Sequence, residues 1–241
     1  MSARPLCLTA NTYNMNELVK QIQSFAYRNG KDNKQVLSDL LRYIVGYFNP
    51  EPQPDTAWHY TKEQNAEFFA MLQQYLAIMN KELRTKEWYD AWGDLFMELT
   101  PRGGAKGQFF TPVDICNLMA ESSIDTGMKP SSLCGAFGRR VTINDPAAGS
   151  ARNLLAAHAM FIRDGKRPPY LIAEDVDIDC CRMSAVNLMV HGCFGEVICH
   201  NTLSEPKSLS VGFIINEGLY PAGAIPTIRI RHEPERFFSL R

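Results

Sequence analysis

The sequence predicts an α/β core with a parallel sheet, preceded by an all-α helical domain. Two observations carry this. Apolar residues recur at three–four spacing through the first hundred positions, and from Val141 onward short strand signals alternate with helix signals. The character changes at Pro101-Arg102-Gly103-Gly104. That break sets the expected division into a helical domain over 1–104 and an α/β domain over 105–241.

The helical region reads in four pieces. Asn14 can cap a first helix with Met15, Leu18, Val19, Ile22 and Phe25 on one face, and Glu17 stands at the capping-box position. Asn33 can cap a second, carrying Val36, Leu37, Leu40, Leu41, Ile44, Val45 and Phe48. Asn49-Pro50 should end it, because the residue before proline disfavours helix. Thr61 with Gln64 opens a third, with Phe68, Leu72, Tyr75, Leu76 and Met79 inward. A fourth is expected from about Lys86 to Leu99, its aromatics Trp88, Trp92 and Phe96 read as bundle core.

Thr111 is the expected cap of a short helix beginning at Pro112, a residue tolerated at the first helical position. A polar connection runs over 122–140. Strands are then expected at 141–145, 170–174, 196–199 and 211–215, with one more near 227–231. Helices are expected at 151–163 and 178–191. Strand–helix–strand alternation implies parallel pairing, so a doubly wound sheet of about five strands is expected.

Bulk properties narrow the class. With 241 residues, 45% hydrophobic and 21% charged, the chain can bury a substantial core. A net charge of −1 gives no global basic signature for gripping phosphates. The seven cysteines are odd in number and form no Cys-x-x-Cys pair. They read as reduced thiols of a cytoplasmic protein, neither a disulfide frame nor a metal site. No apolar run reaches membrane-spanning length.

Three blocks carry chemistry. Asp145-Pro146-Ala147-Ala148-Gly149-Ser150 sits between a strand and a helix, where small residues let a ligand approach the backbone and the helix start offers free amides. Asp145 suits a ligand with a cationic amino group. Glu174 follows the apolar run Leu171-Ile172-Ala173 at the next strand tip, where an acidic side chain accepts from ribose hydroxyls. Asp177 is better placed to cap the following helix. Gly107-Gln108-Phe109-Phe110-Thr111-Pro112 places two aromatics before a helix, as core residues or as an apolar wall against a ligand; the residues alone leave both open.

These blocks, in this order, resemble the amino-methylating DNA methyltransferases, most closely the modification subunit of type I restriction systems. Asn187-Leu188, His191-Gly192 and Asn201-Thr202-Leu203 match further family elements. The resemblance implies a Rossmann-like S-adenosylmethionine-dependent methyltransferase core, with an incomplete sheet, behind an all-α domain. It implies that Gln108, Phe109, Phe110, Thr111 and Pro112 line the cofactor site. Asp145, Ala147, Gly149, Ser150 and Ala151 would surround the methionine part, Glu174 would hold the ribose, and Asn201 would lie near the adenine. The function it implies is DNA adenine-N6 methylation in a restriction-modification type system. DNA would be reached through a specificity-type partner subunit, and oligomerisation is compatible with it.

The chain departs from the pattern at two places. The family's catalytic Asn/Asp-Pro-Pro-Phe/Tyr is replaced by Asn216-Glu217-Gly218-Leu219, which leaves Asn216 as the candidate catalytic residue, with Tyr220 one place late. Arg152 stands where the family commonly has glycine, so it should crowd the cofactor or meet its carboxylate. The alternative expectation is therefore a catalytically inactive or truncated relative that binds cofactor as a binding or regulatory module, and little methyl transfer is expected of the chain alone.

Overall fold

The computed structural model describes residues 14–51, 55, 57–100, 110–130, 132–133, 138–203, 211–217, 225–233 and 237. Helix α1 (Met15–Arg28) is capped by Asn14, whose side chain accepts from the Glu17 amide. In α2 (Asn33–Tyr47) the cap is Asp32 rather than Asn33: the Asp32 carboxylate accepts from the Gln35 amide, which moves the start back one residue. A full capping box between Thr61 and Gln64 opens α3 (Lys62–Glu82), as its sequence implies.

Helix α4 (Ala91–Leu99) starts five residues later than its periodicity suggests. Local tethers hold the preceding segment out of the helix. Trp88 Nε1 donates to Asn117 Oδ1, the Tyr89 amide donates to His191 Nε2, and Asp90 takes the cap by accepting from the Gly93 amide. Gly93 is required there, because a Cβ would fall 2.0 Å from Asp90 Oδ2. Helix α5 (Val113–Ser123) has Pro112 at its cap, not Thr111, and no side chain bonds its first turn.

The connection to the sheet carries a two-stranded antiparallel ribbon of β1 (Ser132–Leu133) and β2 (Arg139–Arg140). The main sheet comprises β3 (Thr142–Asp145), β4 (Tyr170–Asp175), β5 (Phe194–Cys199), β6 (Val211–Ile215) and β7 (Ile228–Arg231), in that spatial order. Strands β3, β4 and β5 are parallel, joined by α6 (Arg152–Arg163) and α7 (Ile178–Val190).

The rest of the sheet corrects the all-parallel expectation. Strand β6 runs antiparallel to β5, and β7 antiparallel to β6. Only the eleven residues 200–210 separate β5 from β6, too few for a helical crossover, so the chain returns beside the strand it left. The sheet is mixed, and its order never reverses. Among the described residues it therefore lacks the switch point at which a doubly wound sheet opens its crevice.

Side chains sort by strand alternation. Leu171, Ala173, Val197, Phe213, Ile215 and Ile228 face a core shared with all seven described helices, while Tyr170, Ile172, Phe194, Ile198, Ile214 and Phe237 form a smaller cluster. The N-terminal helices thus pack directly into the core of the α/β region, with α2 and α4 against α7. No helix among the described residues is long and apolar enough to cross a membrane.

Candidate functional site

Three segments meet at the carboxyl ends of β3 and β4: residues 110–112, the loop 146–151, and the tip of β4. They enclose a cleft of about 160 Å³ lined by Phe110, Thr111, Gly149, Arg152, Asn153 and Asp175, among others. Sites for whole small-molecule ligands usually span roughly 300–1,000 Å³, so this volume suits one part of such a ligand, an amino-acid-sized group.

The loop's shape follows from its residues. Gly149 sits at φ 58° and Ala151 at φ 71°, both left-handed. A Cβ on Gly149 would lie 2.8 Å from Cε1 of Phe110, so glycine is what lets the ring close over the backbone. Non-glycine residues in this region cost about 1–3 kcal/mol and persist only where surroundings hold them. Ala151 is fully buried, and the anchors around it are plain. The Ala148 amide donates to the Glu174 carbonyl at 2.9 Å, the Gly149 amide to Asp175 Oδ2 at 3.0 Å, and the Ser184 hydroxyl to the Gly149 carbonyl at 2.9 Å. Asp145 accepts from the Ala147 amide and from Asn153 Nδ2, both at 3.1 Å.

Beneath the loop lies a buried polar network centred on Asp90, which is 2% exposed. Its Oδ1 accepts from the Gly93 amide and Asn187 Nδ2, each at 2.7 Å. Its Oδ2 accepts from the Ser150 hydroxyl at 2.5 Å and from Arg152 Nε. Arg152 also donates to Asp94 Oδ1 at 2.6 Å and to the Thr111 carbonyl at 3.2 Å. Burial opposes the Arg152 charge, but the flanking Asp90 and Asp94 carboxylates outweigh it and raise the pKa. For Asp94 burial dominates and raises the carboxyl pKa, with Arg152 pulling the other way.

Glu174 does not line this cleft. Its Oε1 accepts from Asn144 Nδ2 at 2.8 Å, and its Oε2 lies 2.5 Å from His200 Nε2. The adjacent Asp175 is the carboxylate that lines the cleft. Asn201 is exposed, its Oδ1 accepting from the Leu203 amide. The neighbouring Thr202 hydroxyl reaches the Pro146 carbonyl at 3.4 Å, which brings this turn beside the loop. No cluster of metal-ligating side chains is found among the described residues.

Against this geometry, the N-6 DNA Methylase family matches residues 90–216, more than half of the chain. The chain belongs to that family. No curated protein matches it. The matched span opens on Asp90, the hub of the buried network, and closes on Asn216.

The fold of this family member brings together Phe110, Thr111, Ala147, Gly149 and Ser150 around one cleft, with Pro112 and Ala151 at its flanking helix starts. Asp145 stands at the base of the loop. Gln108 and Phe109 lie outside the described residues.

Asn216, the candidate catalytic residue, does not line the cleft. Because β6 is antiparallel, Asn216 follows the residue paired with Gly195, at the amino end of β5. The cleft lies at the opposite end, about 15 Å along the strands. Its side chain is fully buried, donating to the carbonyls of Met189 at 3.1 Å and Cys193 at 2.8 Å and accepting from the Thr227 amide at 3.1 Å. With φ at 56°, Asn216 is a turn residue held by three bonds. Arg152, expected to crowd the cofactor or meet its carboxylate, lines the cleft and bonds through its guanidinium to Asp90, Asp94 and the Thr111 carbonyl.

Asp175, which lines the cleft, and Asp90, in the network beneath it, were not among the residues singled out from the sequence. In the run Glu174-Asp175-Val176-Asp177 the side-chain directions depend on strand register. The cap of α4 is the local role of Asp90, through Gly93, but its hub role is not legible locally, because its partners Ser150 and Asn187 lie 60 and 97 residues away.

Proposed function

We propose that the chain binds S-adenosylmethionine in this cleft and serves DNA adenine-N6 methylation in a cytoplasmic restriction-modification type system. The observation that carries the reading is the cleft in which the Phe110 ring packs on the Gly149 backbone beside the Asp175 carboxylate. An aromatic wall over a tight glycine loop, next to the Asp145 and Asp175 carboxylates, suits an apolar chain bearing cationic centres.

Bound there, the cofactor supplies an activated methyl group on a sulfonium. Asp145 and Asp175 balance positive charge at the methionine end, and Phe110 with Thr111 shields it from water; Gln108, Phe109 and Pro112 extend that wall by resemblance. Gly149, Ser150 and Ala151 hold the loop, with Ala147 at its rim. Glu174 serves the ribose hydroxyls and Asn201 the adenine. Asn216 holds no substrate: its amide is spent on the fold. A net charge of −1 leaves phosphate contacts to a specificity-type partner subunit.

The test is transfer of tritiated methyl from S-adenosylmethionine to mixed-sequence unmethylated duplex DNA at low salt, with nucleosides identified by mass spectrometry. The expected result is N6-methyladenine when a DNA-recognising partner subunit is present and little from the chain alone. Absence of N6-methyladenine with the partner bound and the cofactor site saturated would overturn the reading.

A further inference from the structure

The cleft is assembled from segments far apart in the chain, and one buried cluster touches two of them, the loop at Ser150 and the wall at Thr111. Asp90 caps α4 and accepts the Ser150 hydroxyl from the loop after β3, the Arg152 guanidinium from α6 and the Asn187 amide from α7. Asn187 also donates to the Ser150 carbonyl at 2.9 Å. Arg152 extends the chain of contacts to the Thr111 carbonyl, beside Pro112, and its guanidinium lies 5.7 Å from the Phe110 ring centroid. Both Asp90 and Arg152 are buried, at 2% and 8% exposure, where a charge-assisted bond is strong and an abandoned partner costly.

We infer that Asp90 and Arg152 are positioning residues that set the distance between the Phe110–Thr111 wall and the Gly149–Ser150 loop, and thereby select ligands carrying an amino-acid end. Asp90 lies beneath the cleft, and Arg152, which lines it, spends its guanidinium on Asp90, Asp94 and the Thr111 carbonyl. The inference rests on the proposed cofactor site. The cluster reaches the loop at Ser150 and the wall at Thr111, and makes no bond to Glu174, Asn144 or His200 on the nucleoside side. Its loss should therefore open the amino-acid end and leave the nucleoside end intact.

Calorimetric titration of the full chain tests this with two probes: S-adenosylhomocysteine, which has the amino-acid end, and 5′-methylthioadenosine, which lacks it. Asp90→Asn and Arg152→Met are each expected to weaken S-adenosylhomocysteine about tenfold or more, the scale of one lost charge-assisted hydrogen bond. Affinity for 5′-methylthioadenosine should stay within about twofold. The double variant should be no worse than about the poorer single, because both break one network. Equal losses for both probes would reduce the cluster to a general structural role and overturn the inference, as would unchanged affinity for S-adenosylhomocysteine. If Asp90→Asn does not fold, Ser150→Ala removes only the loop's bond to Asp90 and must show the same probe selectivity. Failure of the unmodified chain to bind either probe would instead overturn the proposed function.

Discussion

The Ser150 hydroxyl donates to the buried Asp90 carboxylate at 2.5 Å, fastening the loop after β3 to the cap of α4 across sixty residues of chain. The helices ahead of the sheet are therefore part of the site's construction, and the family match beginning at Asp90 is consistent with that.

Asn216→Ala separates fold from chemistry. The substitution deletes bonds to Met189, Cys193 and Thr227 and leaves alanine in a left-handed turn. A stability loss of about 2–4 kcal/mol is expected in urea unfolding. The affinity of the folded fraction for S-adenosylhomocysteine should be unchanged; a selective loss of ligand affinity at unaltered stability would put Asn216 back in the site.

Gly149→Ala places a methyl group 2.8 Å from Phe110 at a φ of 58°. It should weaken S-adenosylhomocysteine by about tenfold or more, with about 1–2 kcal/mol of destabilisation. Adding Phe110→Leu, which yields space to the new methyl, should recover part of the stability. Wild-type affinity for Gly149→Ala would show that the ring and loop do not form the ligand's seat.

Asp175→Ala removes the acceptor for the Gly149 amide as well as a carboxylate of the cleft. An affinity loss of about tenfold is expected, against the sequence expectation that Glu174 outranks it. Titration of both alanine variants decides the order; an unaffected Asp175→Ala would return priority to Glu174.

How much was legible follows from the range of each signal. Caps at Asn14, Thr61 and Asp177 bond within three residues of themselves, and the sequence located each of them. Alternation of strands and helices located β3, β4, α6 and α7 because apolar periodicity is local. The direction of β6 was not legible: it depends on the length of 200–210 and on which sheet edge is free. That single direction moved Asn216 to the far end of the sheet. Asp90 was invisible for a related reason, since a buried hub is defined by partners that only the folded chain assembles.

His158 makes acid sensitivity predictable. Burial lowers its pKa from 6.5 to about 4, helped by His191 and Arg140, and burial lowers His191 as well. Each is neutral in the folded state and takes up a proton more readily when unfolded. Stability is thus fully present above about pH 6.5 and declines as pH falls toward 4. For His158 the loss approaches about 3 kcal/mol by the bottom of that window. His158→Leu should flatten the fall in melting temperature between pH 7 and 5; an identical pH profile in the variant would rule His158 out as its source.

The central claim is that the loop from Asp145 to Ala151 seats S-adenosylmethionine against Phe110. Isothermal titration of S-adenosylhomocysteine into the purified chain tests it most directly, with Gly149→Ala alongside. The account predicts saturable one-to-one binding to the unmodified chain, a rise in melting temperature that grows with ligand concentration, and marked weakening in the variant. A folded chain that gives neither heat nor thermal shift at millimolar ligand, or a variant that binds as tightly as its parent, would contradict it.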